Sequence, residues 1–103
     1  MKTSLSSKQF KSVLNKSTVQ TINNLQFYYR FSNDPKIGFI ISRKLGPAVE
    51  RNFFKRRCRA LFLDACSQIN KNFSLIVWPK NNLLKTINVD EVFSVLNKKI
   101  KYD

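Results

Sequence analysis

Apolar positions recur along this chain with two periods, and each change of period marks a new element. Phe10, Val13 and Leu14 follow Ser6-Ser7-Lys8-Gln9 at helical spacing, and the S-x-x-Q form is that of a capping box. A short amphipathic helix over residues 7–16 is predicted. Thr18–Ile22 reads as a weak strand and Asn23-Asn24 as a turn. In Leu25–Phe31 the residues Leu25, Phe27, Tyr29 and Phe31 share one side, while Gln26, Tyr28 and Arg30 share the other, which is the pattern of a half-buried strand. Asn33-Asp34-Pro35-Lys36 predicts a hairpin turn, and the apolar run Ile37-Gly38-Phe39-Ile40-Ile41-Ser42 predicts a central strand after it.

Gly46-Pro47 ends that connection, with proline suited to a first helical turn. Phe54, Cys58, Leu61, Phe62, Ala65, Cys66 and Ile69 form one apolar stripe, so a helix is predicted over residues 47–69. Asn70-Lys71-Asn72 breaks it. Phe73-Ser74-Leu75-Ile76-Val77-Trp78 reads as a buried strand closed by Pro79. A second capping signature over residues 88–91 opens a last helix lined by Val89, Val92, Phe93, Leu96 and Ile100. The order helix, three strands, helix, strand, helix predicts an α+β fold, a single α+β layer with helices packed on a small mixed sheet. With no repeat, low-complexity tract or linker in view, residues 1–103 are expected to form one domain. Strand order does not follow from the pattern.

Composition adds the charge. Nineteen Lys and Arg against six Asp and Glu give a formal net charge of +13 at pH 7, and there is no histidine. Leu, Ile, Val and Phe supply 34 of the 103 residues, so a folded basic domain is expected rather than a disordered one. The charge excludes an acidic cation-binding protein and points to a polyanionic partner. The acids are scattered except for Asp90-Glu91, and without histidine the chain lacks the commonest general base, so a self-sufficient hydrolase is not expected. Cys58 and Cys66 lie eight residues apart on the predicted helix, about 12 Å along its axis and too far for a disulfide. They read as reduced thiols of a cytoplasmic protein. No secretory or membrane-spanning segment is evident.

Five of the six arginines, Arg43, Arg51, Arg56, Arg57 and Arg59, fall within 17 residues, with Lys44 and Lys55 among them and only Glu50 opposing. On a helix Arg51, Lys55 and Arg59 stack one turn apart with Asn52 and Arg56 alongside, a set expected on the side away from Phe54, Cys58 and Leu61. A solvated charged face is the bland account. Like charges one turn apart cost roughly 0.2–0.5 kcal/mol per pair, and cations near a helix start oppose its dipole, so stability does not explain the cluster. Guanidinium forks and free helix-start amides suit phosphate.

The run from Ile37 through Ser42-Arg43-Lys44-Leu45-Gly46-Pro47-Ala48-Val49-Glu50-Arg51-Asn52-Phe53-Phe54-Lys55-Arg56 closely resembles the signature of the bacterial ribonuclease P protein subunit. That signature is a G-[apolar]-x-[apolar]-S-[KR]-K-x-G-x-A-V strand and turn running into an R-N-[RK]-x-K-R helix. Gly38, Ser42, Arg43, Lys44, Gly46, Ala48, Val49, Arg51, Asn52, Lys55 and Arg56 match it. The chain departs at Phe53, where the family usually carries a third basic residue.

The resemblance implies an α-β-β-β-α-β-α sandwich with a left-handed βαβ crossover, against the usual right-handed rule. It implies binding of a catalytic RNA through Arg43, Lys44, Arg51, Asn52, Lys55, Arg56 and Arg59. That RNA, with Mg²⁺ bound mainly by it and none by the protein alone, would cleave the 5′ leader from precursor tRNA. The subunit would bind the leader and raise metal affinity, and a monomer is expected in the absence of RNA. A cleft between the first helix and the sheet would hold the single-stranded leader, lined by Phe10, Leu14, Tyr28, Arg30 and Ser42. Base stacking on an aromatic ring suits such a role. Phe10 and Leu14 serve equally well as helix-sheet core, whereas Tyr28 lies opposite the apolar face of its strand. Gly38 and Ser42 would face the same side and leave room for a nucleic-acid backbone.

Three other readings carry less. A structural RNA-binding protein of ribosomal type, with no role in cleavage, needs only the charge and fold. A peripheral membrane binder needs the apolar side of the basic helix, which the core uses. An independent nuclease needs carboxylates for metal, and Asp90-Glu91 reads as helix capping.

Overall fold

The structure, a computed structural model of the 103-residue chain, describes residues 4–80 and 84–102. Helix α1 spans Ser7–Asn15, strands β1, β2 and β3 span Thr18–Ile22, Leu25–Phe31 and Lys36–Phe39, α2 spans Ala48–Ile69, β4 spans Phe73–Pro79 and α3 spans Val89–Lys101. Two single 3₁₀ turns, Arg43–Leu45 and Leu84–Thr86, precede α2 and α3.

The caps are those the sequence encodes. Ser6 Oγ accepts from the Gln9 amide while Gln9 Oε1 accepts from the Ser6 amide, which closes the capping box of α1. Asn23 and Asn24 both take positive φ, 49° and 66°, and so make the two-residue hairpin that puts Ile22 opposite Leu25. Asn70 stops α2 in the left-handed conformation, φ 60°, and its amide donates to the Cys66 and Ser67 carbonyls. Asn88 caps α3 by accepting from the Glu91 amide.

The sheet has the order β1-β2-β4-β3. β1 and β2 pair antiparallel, β2 and β4 pair antiparallel, and β3 pairs parallel to β4, so α2 is the crossover between two parallel neighbours. This corrects the expectation of a central strand reached by a hairpin turn. The segment after Asn33-Asp34-Pro35 does not return beside β2; β4 takes that place and β3 becomes an edge. Its apolar run suggested two-sided burial, but β3 ends at Phe39, and Ile40 and Ile41 continue as half-buried connection. The outer edge of β3 is met by the N-terminal segment, where the Leu5 amide donates to the Ile37 carbonyl.

Helices lie on both faces of the sheet. On one side Leu25, Phe27, Tyr29, Ile37, Phe73, Leu75 and Val77 meet Phe54, Cys58, Phe62, Ala65 and Cys66 of α2 and Val92, Phe93, Leu96 and Ile100 of α3. Edge-to-face contacts tie the layers: Phe27 to Phe93 at 5.8 Å and Phe62 to Phe73 at 5.1 Å between ring centres. Phe31 was expected to join this core, but it lies at the end of β2, is 41% exposed, and carries Lys71 Nζ 5.0 Å from its ring centre. On the other side α1 packs across β2 and β4, with its own Val13 and Ile76 of β4 fully buried between them. Both cysteines are free and buried, and burial pushes both thiols up, away from the thiolate.

Candidate nucleic-acid interface

A 22-residue helix with one buried stripe has two flanks and an outward crest, and the basic residues of α2 divide among them. Asn52 and Arg56 stand exposed on the crest. Arg51, Lys55 and Arg59 are half-buried on the flank towards β3, which corrects their expected placement on the side away from the core. The reason is angular: Lys55 and Arg59 each follow a buried residue by one position, a turn of about 100° and not 180°. Their stems lie along apolar surface and their heads are steered. Arg51 Nε donates to the Gly46 carbonyl at 3.2 Å, and the Arg59 guanidinium sits 5.5 Å from the Phe39 ring centre.

That flank continues into the 3₁₀ turn. Ser42 caps it, its Oγ accepting from the Lys44 amide at 3.2 Å, and Arg43 and Lys44 project into solvent while Leu45 is buried. Arg43, Lys44, Arg51, Lys55, Arg56 and Arg59 thereby make one ridge running from the turn along α2. Ser42 belongs to this turn, beyond the end of β3, and not to the face under α1 where it was expected. Gly46 closes the turn at φ 157°, and a Cβ there would fall 2.9 Å from Glu50 Oε1.

Arg57 leaves the ridge. On the opposite flank it donates through Nε and Nη2 to both carboxylate oxygens of Asp90, at 2.9 and 2.5 Å, and so clamps α2 to the first turn of α3. The hydrogen bond from Arg57 holds the Asp90 carboxyl below the usual range, and Asp90 in turn raises Arg57.

The second surface lies on the α1 side of the sheet. Register places Val19 opposite Tyr28 and Gln26 opposite Trp78, so these four side chains share the open face. Tyr28 and Trp78 stack with centres 6.4 Å apart and planes 24° from parallel; the Tyr28 hydroxyl donates to Gln26 Oε1. Lys80 Nζ lies 2.9 Å from the Trp78 ring centre. α1 forms the wall of this strip: Arg30 Nη1 donates to Ser12 Oγ at 2.9 Å, and Leu14 is half-buried. Phe10 is packed down on β3, where a Cβ on Gly38 would meet its ring at 2.9 Å and Leu5 at 3.0 Å. The space expected above Gly38 is thus filled by the chain's own side chains. Val19, Trp78 and Lys80 were missed by the sequence reading. Alternation pairs Trp78 with Ile76, but the strand was read as wholly buried, and only the register reveals that its Trp78 end stays open.

Among the described residues no three His, Cys, Asp or Glu side chains come together as a metal-ligand set, and no helix is long and apolar enough to cross a membrane.

A small basic α+β domain with a cationic ridge and an aromatic strip on separate faces is the form of a nucleic-acid-binding protein. The family model for ribonuclease P matches residues 3–101. The chain is similar to the ribonuclease P protein component of Mycoplasmopsis pulmonis, 32% identical over 76 residues, 74% of this chain and 68% of the relative. It is similar also to that of Mesomycoplasma hyopneumoniae strain 7448, 33% identical over 78 residues, 74% of this chain and 70% of the relative. In fold it is similar to the RNase P protein of Thermotoga maritima (TM-score 0.72, 22% identity, 93% of this chain and 92% of that one). The RNase P protein of Staphylococcus aureus gives a TM-score of 0.73 at 22% identity, over 99% of this chain and 95% of that one. The chain belongs to the ribonuclease P protein family, and with that come tRNA processing and a ribonucleoprotein setting.

Proposed function

We propose that this protein is the RNA-binding subunit of a ribonucleoprotein endoribonuclease in which a catalytic RNA, with Mg²⁺ held mainly by that RNA, removes the 5′ leader of precursor tRNA. The ridge of Arg43, Lys44, Arg51, Lys55, Arg56 and Arg59, with Asn52 on its crest, binds the catalytic RNA through phosphate oxygens. The strip beside α1, with Tyr28, Trp78, Arg30 and Leu14, receives the leader by stacking, which tolerates any base. By holding the leader against the catalytic RNA the subunit organises the phosphates that ligate Mg²⁺ before the ion arrives, so less of the ion's binding energy goes into assembling its site and its affinity rises. The observation that carries this reading is the separation of the two surfaces: cationic groups on the α2 flank and crest, aromatic rings on the opposite face of the same sheet.

The test is the affinity of precursor and mature tRNA for the ribonuclease P RNA with and without this protein. The protein should tighten binding of precursor over mature tRNA, and it should alone cleave neither. A ribosomal-type binder would associate with the RNA and leave that preference unchanged, which would overturn the leader role.

A further inference from the structure

On the flank of α2 turned away from the cationic ridge, Phe53 is 64% exposed and Val49, one turn before it, 79% exposed. They border a groove of about 310 Å³ with Glu50, Phe54, Leu84, Lys85, Ile87 and Val89, between α2 and the 3₁₀ turn ahead of α3. A large aromatic ring left in water on the most basic helix of a +13 chain loses burial energy and gains nothing within the fold. Among the described residues two free cations stand beside it: Arg56 is exposed three residues on and Lys85 lines the far wall, while Arg57, one turn on, is paired with Asp90. Glu50 is the one acid that lines the groove.

We propose that the Phe53 groove takes an unstacked nucleobase of the catalytic RNA, stacked on the Phe53 ring with its flanking phosphates beside Lys85 and Arg56. This rests on the proposed RNA-subunit function and extends it from phosphate contact to a base. Charge selects this occupant. A second copy of the same +13 chain brings like charge to a rim that already holds Arg56 and Lys85, whereas a nucleotide supplies both a ring for the groove and a phosphate for the rim.

The experiment titrates the ribonuclease P RNA with the full-length protein and its Phe53→Ala, Phe53→Trp and Arg56→Ala variants over a range of salt. Phe53→Ala should weaken binding about 5- to 150-fold, the effect of one stacked base, with the salt slope unchanged. Phe53→Trp should retain the affinity and show indole quenching, beyond that of wild type, when RNA is added. Arg56→Ala should weaken binding and make the salt slope shallower. Wild-type affinity in Phe53→Ala, with Arg56→Ala still weakened, would overturn the base site and leave the RNA-subunit function standing. A wild-type dimer in sedimentation that Phe53→Ala dissolves would reassign the groove to self-association. Failure of the wild-type protein to bind the RNA would sink the proposed function and the base site together.

Discussion

The ring of Phe10 lies so close over Gly38 that a Cβ on the glycine would stand 2.9 Å from two of its carbons. α1 therefore reaches the sheet because residue 38 has no side chain, and the wall of the aromatic strip is positioned by that approach. Gly38→Ala should destabilise the fold by roughly 1–3 kcal/mol, the range for overpacking, in denaturant unfolding. Adding Phe10→Leu should return part of the loss. An unaltered midpoint in the single variant would show that α1 is not held against β3 in this way.

The Arg57–Asp90 clamp has a pH signature. Asp90 titrates lower in the folded chain than in the unfolded one, so its pairing stabilises at pH above the ordinary carboxylate pKa of about 4 and fades as acid takes pH below it. The melting temperatures of wild type and Asp90→Asn should converge as pH falls through that region. Arg57→Gln should return the Asp90 titration, followed by NMR, towards the ordinary value. No movement would mean that Arg57 is not the cause.

The crest and the flank of α2 should separate in mutagenesis. Arg56→Ala should lower the log-log salt slope of RNA binding by about 0.7–0.9, one phosphate contact, with no change in melting temperature. Arg51→Ala and Arg59→Ala should lose RNA affinity and some stability as well, because each also anchors the chain, at the Gly46 carbonyl and the Phe39 ring. Equal melting temperatures for all three would remove the distinction.

For the aromatic strip, Tyr28→Ala and Trp78→Ala should each reduce the preference of the reconstituted particle for precursor over mature tRNA by roughly 1–3 kcal/mol, the range for one stacked base. Affinity for mature tRNA should be untouched. Circular dichroism checks that both variants fold, and a preserved preference would make the pair an ordinary surface stack.

Much of this architecture could be read from local signals. The capping box at Ser6, the paired asparagines at 23 and 24, and Asn70 at the end of α2 act through their own neighbours, so sequence alone places them. The place of β3 could not be read, because strand order depends on contacts made across the chain by β4. The same limit hid Trp78, whose exposure depends on where α1 ends its cover, and the pairing of Arg57 with Asp90, 33 residues apart. Arginine clustering located the ridge, but the anchoring of Arg51 at the Gly46 carbonyl and of Arg59 over the Phe39 ring needed the packing of α2 beside β3.

The central claim, that this protein serves an RNA that carries the catalytic centre, meets its most direct test in single-turnover cleavage of precursor tRNA at low Mg²⁺. Protein alone should cleave nothing, ribonuclease P RNA alone should cleave slowly, and the two together should release the 5′ leader much faster, with the gap closing as Mg²⁺ is raised. Metal-dependent cleavage by RNA-free protein, or an RNA rate unmoved by its addition at any Mg²⁺ concentration, would contradict the account.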